Sequence, residues 1–129
     1  MCKLMVLDDD PIQHLIFRRM LNRYKLAHET FYSYSGYDVL SFLSAHKKDT
    51  SELPEVIFMD INMPGLNGWA FLDRFKDLYP QLNKLIEIHI VSSSINPSEI
   101  KRTDMYDFVK SYIVKPITSE RLEQILEPH

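Results

Sequence analysis

Short apolar runs alternate with longer segments of mixed polarity along this chain. The most apolar run covers residues 56–59, ends at Asp60 and is followed by a turn-forming segment at 61–65. A short apolar run bounded by turn residues is typical of a strand that is buried on both faces of a parallel sheet. The pattern therefore predicts that Asp60 lies at the carboxyl end of a central strand.

Other runs repeat this pattern and predict four more strands, at residues 3–7, 29–34, 85–91 and 112–114. The run at 29–34 is more polar than the rest, which favours a position at the edge of the sheet. Three of the runs lead directly into polar groups: the acids that begin at Asp8, the serines that begin at Ser92, and Lys115. The carboxyl ends of parallel strands meet at one edge of a sheet, so these side chains are expected together there.

The segments between the strands carry helix signals. A helix is predicted from Pro11 to about Tyr24, because Asp10 can cap it and proline suits the first helical position. Its expected inward face consists of Ile12, Leu15, Ile16 and Met20. Further helices are predicted after Ser35, from about Asn67 to Tyr79, from Asn96 to about Val109, and after Thr118.

Strands that alternate with helices predict an α/β fold, here a doubly wound, five-stranded parallel sheet of the flavodoxin-like type with helices on both faces. The three most apolar strands should be central, which gives the strand order 2-1-3-4-5. This order reverses between strands 1 and 3, and the crevice at that point should hold Asp8, Asp9 and Asp60. Residues 1–129 are interpreted as a single domain.

The composition is that of an ordinary globular protein and argues against two classes of function. The 129 residues are 45% hydrophobic and 26% charged, with a net charge of −3, so no basic surface for nucleic acid is expected. No apolar run approaches the ~20 residues that cross a membrane, and no signal peptide is expected. A single cysteine, Cys2, excludes an intramolecular disulfide and suits a reducing cytosol. A cytoplasmic location is therefore expected.

Several carboxylates in one crevice repel one another unless a cation intervenes. Asp9 and Asp60, with a backbone carbonyl just after Asp60, can supply hard oxygen ligands, which favour Mg²⁺ over a softer metal. Lys115 can supply a positive charge from the other side. Beside these cations Asp60 is a candidate nucleophile for phosphoryl transfer, and Ser92 and Lys115 can surround the phosphoryl oxygens. The expected product is an aspartyl phosphate.

Four motifs together resemble those of the receiver domain of two-component response regulators, in particular its stand-alone, chemotaxis-regulator-like form. They are Leu7-Asp8-Asp9-Asp10-Pro11, Met59-Asp60-Ile61-Asn62-Met63-Pro64-Gly65 with Gly68, Val91-Ser92-Ser93, and Val114-Lys115-Pro116-Ile117. The resemblance covers nearly the whole chain, with the motifs in the same order and spacing.

This resemblance implies a role for each polar group. Asp60 would be phosphorylated by a histidine kinase or a phosphotransfer protein. Asp8, Asp9 and Asp60 would organise Mg²⁺, with Asp9 as a direct ligand and Asp8 acting largely through water. The carbonyl of Asn62 would also ligate the metal, and Lys115 would contact the phosphoryl group.

The resemblance also implies a switch and exposes departures from the family pattern. Ser92 and Tyr112 would reorient on phosphorylation and reshape the face of helix 4, strand 5 and helix 5. Ser92 stands where the family more often has threonine, and the usual small-residue turn before strand 5 is replaced by residues 109–111. Asn62 and Ser94 hold positions that influence loss of the phosphoryl group. Because neither can activate water, a longer-lived phosphorylated state is favoured.

Three functions remain open from the sequence. The first is a stand-alone receiver that catalyses only its own phosphorylation and slow dephosphorylation, and that signals to an unidentified protein target or through a homodimer. The alternative is a Mg²⁺-dependent phosphohydrolase with Asp60 as covalent nucleophile. That function needs a second acid near Asp60, and Asn62 stands where such an acid would help. The third is a phosphorylation-independent scaffold, which the retained acids and Lys115 argue against.

Overall fold

The computed structural model describes residues 3–24 and 29–127, so Cys2 lies outside the described residues. The strands are β1 (Lys3–Leu7), β2 (Glu29–Ser33), β3 (Val56–Met59), β4 (Glu87–Ser92) and β5 (Val109–Val114). The helices are α1 (Pro11–Arg23), α2 (Gly36–Ala45), α3 (Gly68–Leu78), α4 (Pro97–Arg102) and α5 (Ser119–Leu126), with 3₁₀ turns at Tyr79–Gln81 and Thr103–Met105. None of the helices in these two ranges has the length and apolarity needed to cross a membrane.

All five strands form one parallel sheet in the order β2-β1-β3-β4-β5. This confirms the predicted fold class and strand order. Every residue of the central strand β3 is buried, as expected where helices cover both faces of a parallel sheet.

Two apolar cores, one on each face of the sheet, fix α1, α2, α3 and α5 in place. Leu7 and Met59 pack with residues of α2 and α3, whereas Val6 and Phe58 pack with residues of α1 and α5. Successive strand residues point to opposite faces, so both cores draw on the same strands. The strand ends are therefore held from both sides.

The predicted helix starts are confirmed. The first residue before each helix accepts a hydrogen bond on its side chain from a main-chain N–H of the first turn, which satisfies a donor that the helix itself leaves unpaired. These cap residues are Asp10, Ser35, Asn67, Asn96 and Thr118.

The predicted inward face of α1 is wrong for two of its four residues. Ile12 and Leu15 are 63% and 41% exposed, and the helix is buried instead through His14, Phe17 and Leu21. Both sets of residues have helical spacing, but the second includes a histidine, which a simple apolar pattern counts as polar. The predicted set was Ile12, Leu15, Ile16 and Met20, of which the last two are half-buried.

The boundary between α4 and β5 also differs from the prediction. The α4 helix ends at Arg102 rather than near Val109, and β5 begins at Val109 rather than Tyr112. The segment expected to form a turn before the strand is therefore part of the strand. Tyr106 and Phe108, two residues apart, are both buried in the core beside α3, a strand-like spacing that ends the helical pattern.

Two further boundaries move by one or two residues. The β4 strand begins at Glu87 rather than at Leu85, which is 85% exposed. The β2 strand ends at Ser33, one residue earlier than predicted. Neither shift alters the side chains that follow β1 and β3.

Candidate functional site

The carboxyl edge of the sheet brings the predicted acids together. Leu7 and Met59 are register partners at the ends of β1 and β3, so Asp8 and Asp60 leave the sheet side by side. The Asp60 amide donates to the Leu7 carbonyl at 3.0 Å. Parallel pairing therefore continues past the last strand residue and fixes the backbone that carries both acids.

Three carboxylates form a cluster at this edge. Asp8, Asp9 and Asp60 each offer an oxygen, and these atoms lie within 4.8 Å of one another. Asp8 and Asp60 are only 4% and 6% exposed, whereas Asp9 is more open to solvent. One oxygen of each buried carboxylate accepts a main-chain N–H from two residues further on, Asp10 at 2.9 Å and Asn62 at 3.0 Å. These turns hold both carboxylates in fixed orientations.

Lys115 reaches the cluster from the end of β5. Its ammonium donates to Asp60 Oδ2 at 2.8 Å and lies 3.1 Å from Asp8 Oδ2. Burial alone would lower the pKa of Lys115, but its hydrogen bonds to the two carboxylates outweigh burial and raise that pKa above its ordinary value. Lys115 is therefore a persistent cation between the two buried acids.

The cluster carries more negative than positive charge even with this lysine. Burial raises the pKa of Asp8 and the neighbouring Asp60 charge adds to the rise, against the opposing effects of the Asp10 amide and Lys115. Three carboxylates face one ammonium, so a divalent cation would balance the excess. Carboxylate oxygens are the ligands that hard cations prefer. The donor set therefore fits Mg²⁺.

The two predicted switch residues both bond to the backbone of Ser94. Ser92 is fully buried at the end of β4, and its hydroxyl accepts the Ser94 amide at 3.2 Å. The Tyr112 hydroxyl donates to the Ser94 carbonyl at 2.9 Å. The Lys115 amide donates to the Ser92 carbonyl at 2.8 Å. One turn after β4 thus links Ser92, Tyr112 and the strand end that carries Lys115.

The turn after Asp60 is packed tightly against the start of α3. The Gly68 amide donates to the Ile61 carbonyl at 2.8 Å. A Cβ atom at Gly68 would lie 2.5 Å from the Ile61 Cα and 3.0 Å from the Asp60 carbonyl oxygen, so a side chain there forces the backbone to move. The side chain of Asn62 is exposed within this turn. Close contact with α3 therefore fixes the loop that follows Asp60.

His14 is a neighbour of the site that the sequence interpretation missed. It lies on α1 at 3% exposure and stacks on Tyr34, with ring centroids 4.4 Å apart. Burial lowers the pKa of His14, although contact with the Asp8 backbone partly offsets this. The ring therefore packs as a neutral group behind the turn that carries the acids. In the sequence, His14 lies three residues before the apolar Phe17, and this helical spacing could have placed both on one buried face.

The fold and the cluster define a class of domain, namely a doubly wound α/β domain with acids and a lysine at the switch point of its sheet. A family model described as the response regulator receiver domain matches residues 4–127. The chain therefore belongs to the receiver-domain family of two-component response regulators. Members of this family are signalling phosphoacceptors that bind Mg²⁺ at an acidic pocket.

Individual relatives agree with this assignment. An uncharacterized response regulatory protein of Staphylococcus epidermidis is 30% identical over 128 residues, which cover 98% of this chain and 46% of that protein. Protein PilH of Pseudomonas aeruginosa is 26% identical, over 95% of this chain and 92% of PilH. A two-component response regulator of Cytophaga hutchinsonii superposes with a TM-score of 0.84 at 27% identity, over 98% of this chain and 94% of that one. The chain thus spans about half the length of its Staphylococcus relative and nearly all of PilH.

Proposed function

We propose that Asp60 accepts a phosphoryl group from the phosphohistidine of a histidine kinase or a phosphotransfer protein, and that the chain then signals to a protein partner. The observation that carries this proposal is the position of Asp60. One carboxylate oxygen is fixed by a main-chain amide at 3.0 Å and the other faces the Lys115 ammonium at 2.8 Å. A nucleophile for phosphoryl transfer needs this combination of fixed orientation and nearby positive charge.

The transfer exchanges one bond to phosphorus for another. A carboxylate oxygen of Asp60 forms a bond to phosphorus as the phosphorus–nitrogen bond of the phosphohistidine breaks. The electron pair of the broken bond stays on that ring nitrogen, the other ring nitrogen keeps its proton, and the histidine leaves as neutral imidazole. The product is an acyl phosphate whose added negative charge lies beside Lys115.

The acid cluster would hold the metal ion of the site. Asp8, Asp9 and Asp60 would bind Mg²⁺ through their carboxylates, with the carbonyl of Asn62 as a further ligand. When bound, the ion supplies positive charge that neutralises the phosphoryl oxygens. Asp9 is open to solvent and can offer an oxygen directly. Asp8 would act largely through water, as the family resemblance implies, and its buried carboxylate also pairs with Lys115.

Ser92 and Tyr112 would convert phosphorylation into a change of surface. A phosphoryl oxygen beside Ser92 would attract its hydroxyl hydrogen and draw the side chain away from the Ser94 amide. The Ser94 carbonyl is the acceptor for the Tyr112 hydroxyl, so movement of this turn would release Tyr112. The surface of α4, β5 and α5 would then change its affinity for a partner, either another protein or a second copy of the chain.

The alternative of a phosphohydrolase finds less support. Rapid hydrolysis needs an acid or base that activates water beside the phosphorylated carboxylate. Asn62, two residues after Asp60, and Ser94, two residues after Ser92, are not titratable at neutral pH. We therefore propose a slowly hydrolysed aspartyl phosphate rather than turnover of phosphate esters.

The experiment that tests this function uses Trp69 as its reporter. Trp69 lies in the first turn of α3, next to the glycine that packs against the turn after Asp60. We expect its fluorescence to change on addition of Mg²⁺ and again on addition of beryllofluoride, and the second change to be absent in Asp60→Asn. Intact-mass measurement after incubation with acetyl phosphate should detect a phosphorylated wild type and an unmodified variant. Multiple turnovers of phosphate esters by the wild type would support the hydrolase instead.

A further inference from the structure

The β5 strand carries a bulge near its start. Ile88 of β4 pairs with Val109, and the next residue, His89, pairs with Ser111, so Lys110 is an extra residue on β5. From His89 onward the two strands pair regularly to their ends. A bulge shifts every later residue of its strand by one position, and a shift of one position exchanges the two faces of a strand. The bulge therefore decides which way the side chains of β5 point.

A chain of hydrogen bonds lies beside this bulge. His89 is 4% exposed, its Nδ1 lies 2.6 Å from Ser111 Oγ, and its Nε2 lies 3.2 Å from Glu87 Oε2. A carboxylate can only accept, so Nε2 donates to Glu87, and Nδ1 is hydrogen-bonded to the Ser111 hydroxyl. The ring also packs against Phe58 of β3, with centroids 5.7 Å apart. These hydrogen bonds therefore join His89 and Ser111, the first regular pair after the bulge, through their side chains as well as through the backbone.

The register after the bulge sets the end of β5 against the acid cluster. Tyr112 packs into the core beside α2 and α3, and Ile113 packs into the core on the other face. A slip of one residue would exchange these two faces. It would also move the Lys115 amide away from the Ser92 carbonyl, to which it donates at 2.8 Å. In this register the Lys115 ammonium reaches both buried carboxylates.

We propose that His89 and Ser111 are positioning residues for Lys115. The hydrogen bond between them pins the bulged register of β5 and so places the Lys115 ammonium against the acid cluster. This inference rests on the proposed function, because it assigns the Lys115 ammonium a part in binding the phosphoryl group. Neither His89 nor Ser111 touches the reacting groups, and Ser111 lies four residues before Lys115.

The test compares two affinities in the same folded protein. Binding of Mg²⁺ alone depends on the acid cluster, whereas binding of beryllofluoride at saturating Mg²⁺ also depends on the Lys115 ammonium. In Ser111→Ala we expect beryllofluoride to bind about 5-fold more weakly, as for the loss of one hydrogen bond, without any loss of Mg²⁺ affinity. Ser111→Thr keeps a hydroxyl and should bind beryllofluoride as the wild type does. His89→Phe keeps a ring of similar shape and should reproduce the alanine variant.

A second measurement separates positioning from plain loss of stability and does not depend on the proposed function. The Lys115 amide should exchange its hydrogen faster in Ser111→Ala than in the wild type, because its bond to Ser92 is less well held. Ile88→Val is the control, since it removes a buried carbon on the other side of the bulge and leaves the bond between His89 and Ser111 intact. It should leave both the Lys115 exchange rate and the beryllofluoride affinity at wild-type values.

Two results would overturn the inference. The first is wild-type beryllofluoride affinity in both Ser111→Ala and His89→Phe, and the second is wild-type exchange of the Lys115 amide in those variants. Failure of the wild type itself to bind beryllofluoride would count against the proposed function, while the exchange rates would still decide whether Ser111 pins the strand. If Ser111→Ala does not fold, Ser111→Cys takes its place, because a thiol is a weaker donor than a hydroxyl.

Discussion

The strands of the sheet begin at its amino edge and end at its carboxyl edge, and a lysine is buried to the same degree at each of the two. These two lysines have different partners. At the amino edge, Lys84 donates to two main-chain carbonyls at 2.7 Å each and pairs with Glu55 at 2.8 Å. At the carboxyl edge, Lys115 lies between Asp60 and Asp8, at 2.8 Å and 3.1 Å. The side chains of Lys84 and Lys115 are 18% and 16% exposed. Burial does not distinguish them, so the difference lies in the charges around them.

The comparison separates a structural lysine from a functional one. The three N–H donors of the Lys84 ammonium face three acceptors, namely two main-chain carbonyls and the charged carboxylate of Glu55. Its hydrogen bonds and its charge are therefore both balanced. Lys115 faces a cluster of three acids, and its single charge leaves that cluster negative. A buried ion pair with balanced charge holds loops together. A buried cluster with excess negative charge still attracts a further cation, or a group that binds together with a cation.

The largest expected effect is the loss of phosphorylation when the Asp60 carboxylate is removed. Asp60→Asn should abolish phosphorylation by acetyl phosphate, because the amide is not a nucleophile. Relief of the repulsion between Asp60 and Asp8 offsets the weaker bond to Lys115, so the free energy of unfolding should change by no more than about 1 kcal/mol. The matched variant at the other edge is Glu55→Gln, which should retain phosphorylation and lose stability. Intact mass and urea unfolding measure the two properties. Phosphorylation of Asp60→Asn on another residue would refute the assignment of the site.

Exchange of each lysine for methionine tests the comparison directly. Lys115→Met should weaken beryllofluoride binding by about 100-fold, comparable to removal of a donor that stabilises developing charge. Lys84→Met should leave that affinity unchanged and should cost about 2–3 kcal/mol of unfolding free energy, because the ammonium's charged hydrogen bonds are lost. Fluorescence titration and urea unfolding give the two quantities.

The cause of instability should also differ between the two lysine variants. Lys115→Met leaves two buried carboxylates without their shared cation, so Mg²⁺ or a second change, Asp8→Asn, should restore stability. Relative to the wild type at the same Mg²⁺ concentration, neither should restore Lys84→Met, whose loss lies in the loop before β3. Equal recovery of both variants by Mg²⁺ would mean that the ion stabilises the fold generally and that the distinction between the two edges is wrong.

The carboxyl edge could be predicted from the sequence because it follows a rule of position. Asp8 and Asp60 come directly after apolar runs, and parallel strands bring such ends together whatever the rest of the chain does. Lys115 follows β5 in the same way. The order of the strands could be predicted by ranking the apolar runs, and this order places the crevice between β1 and β3.

The amino edge and the helix faces could not be predicted in that way. The partners of Lys84 include main-chain carbonyls more than 30 residues away, and a carbonyl leaves no mark in the sequence. The face of α1 was misjudged because buried His14 is polar by type but aromatic in its packing against Tyr34. The bulge in β5 lies just before the pairing of His89 with Ser111, and the strand pattern alone did not reveal it.

A smaller effect is expected where the carboxyl edge depends on close packing. Gly68→Ala would bring a Cβ to 2.5 Å from the Ile61 backbone, so the turn after Asp60 must move, at a cost of about 1–3 kcal/mol typical of overpacking. Beryllofluoride affinity should fall with it. Gly36→Ala is the control, since its Cβ would meet the side chains of Leu66 and Phe71 at 3.2 Å, and side chains can give way. Unchanged affinity in Gly68→Ala would mean that the turn tolerates displacement.

The smallest effect is on the pH dependence of stability, and its sign should be opposite at the two edges. Burial raises the pKa of Asp8 above its ordinary value of 3.8, so the folded protein binds the proton more tightly and loses stability as pH rises through that range. Burial alone would raise the pKa of Glu55, but Lys84 and the Lys3 amide outweigh it and lower that pKa below 4.5. Glu55 therefore stabilises the fold above this value, and its contribution is lost as pH falls.

Urea unfolding of two variants between about pH 3 and pH 7 separates these contributions. As pH rises, the stability of Asp8→Asn relative to the wild type should increase, because the variant lacks the acid whose ionisation is unfavourable. Over the same range the relative stability of Glu55→Gln should decrease, because ionised Glu55 is what the variant lacks. Saturating Mg²⁺ should remove the first trend and leave the second unchanged. Trends of the same sign in both variants would show that the two edges do not differ in charge balance, and that the contrast between Lys84 and Lys115 has another cause.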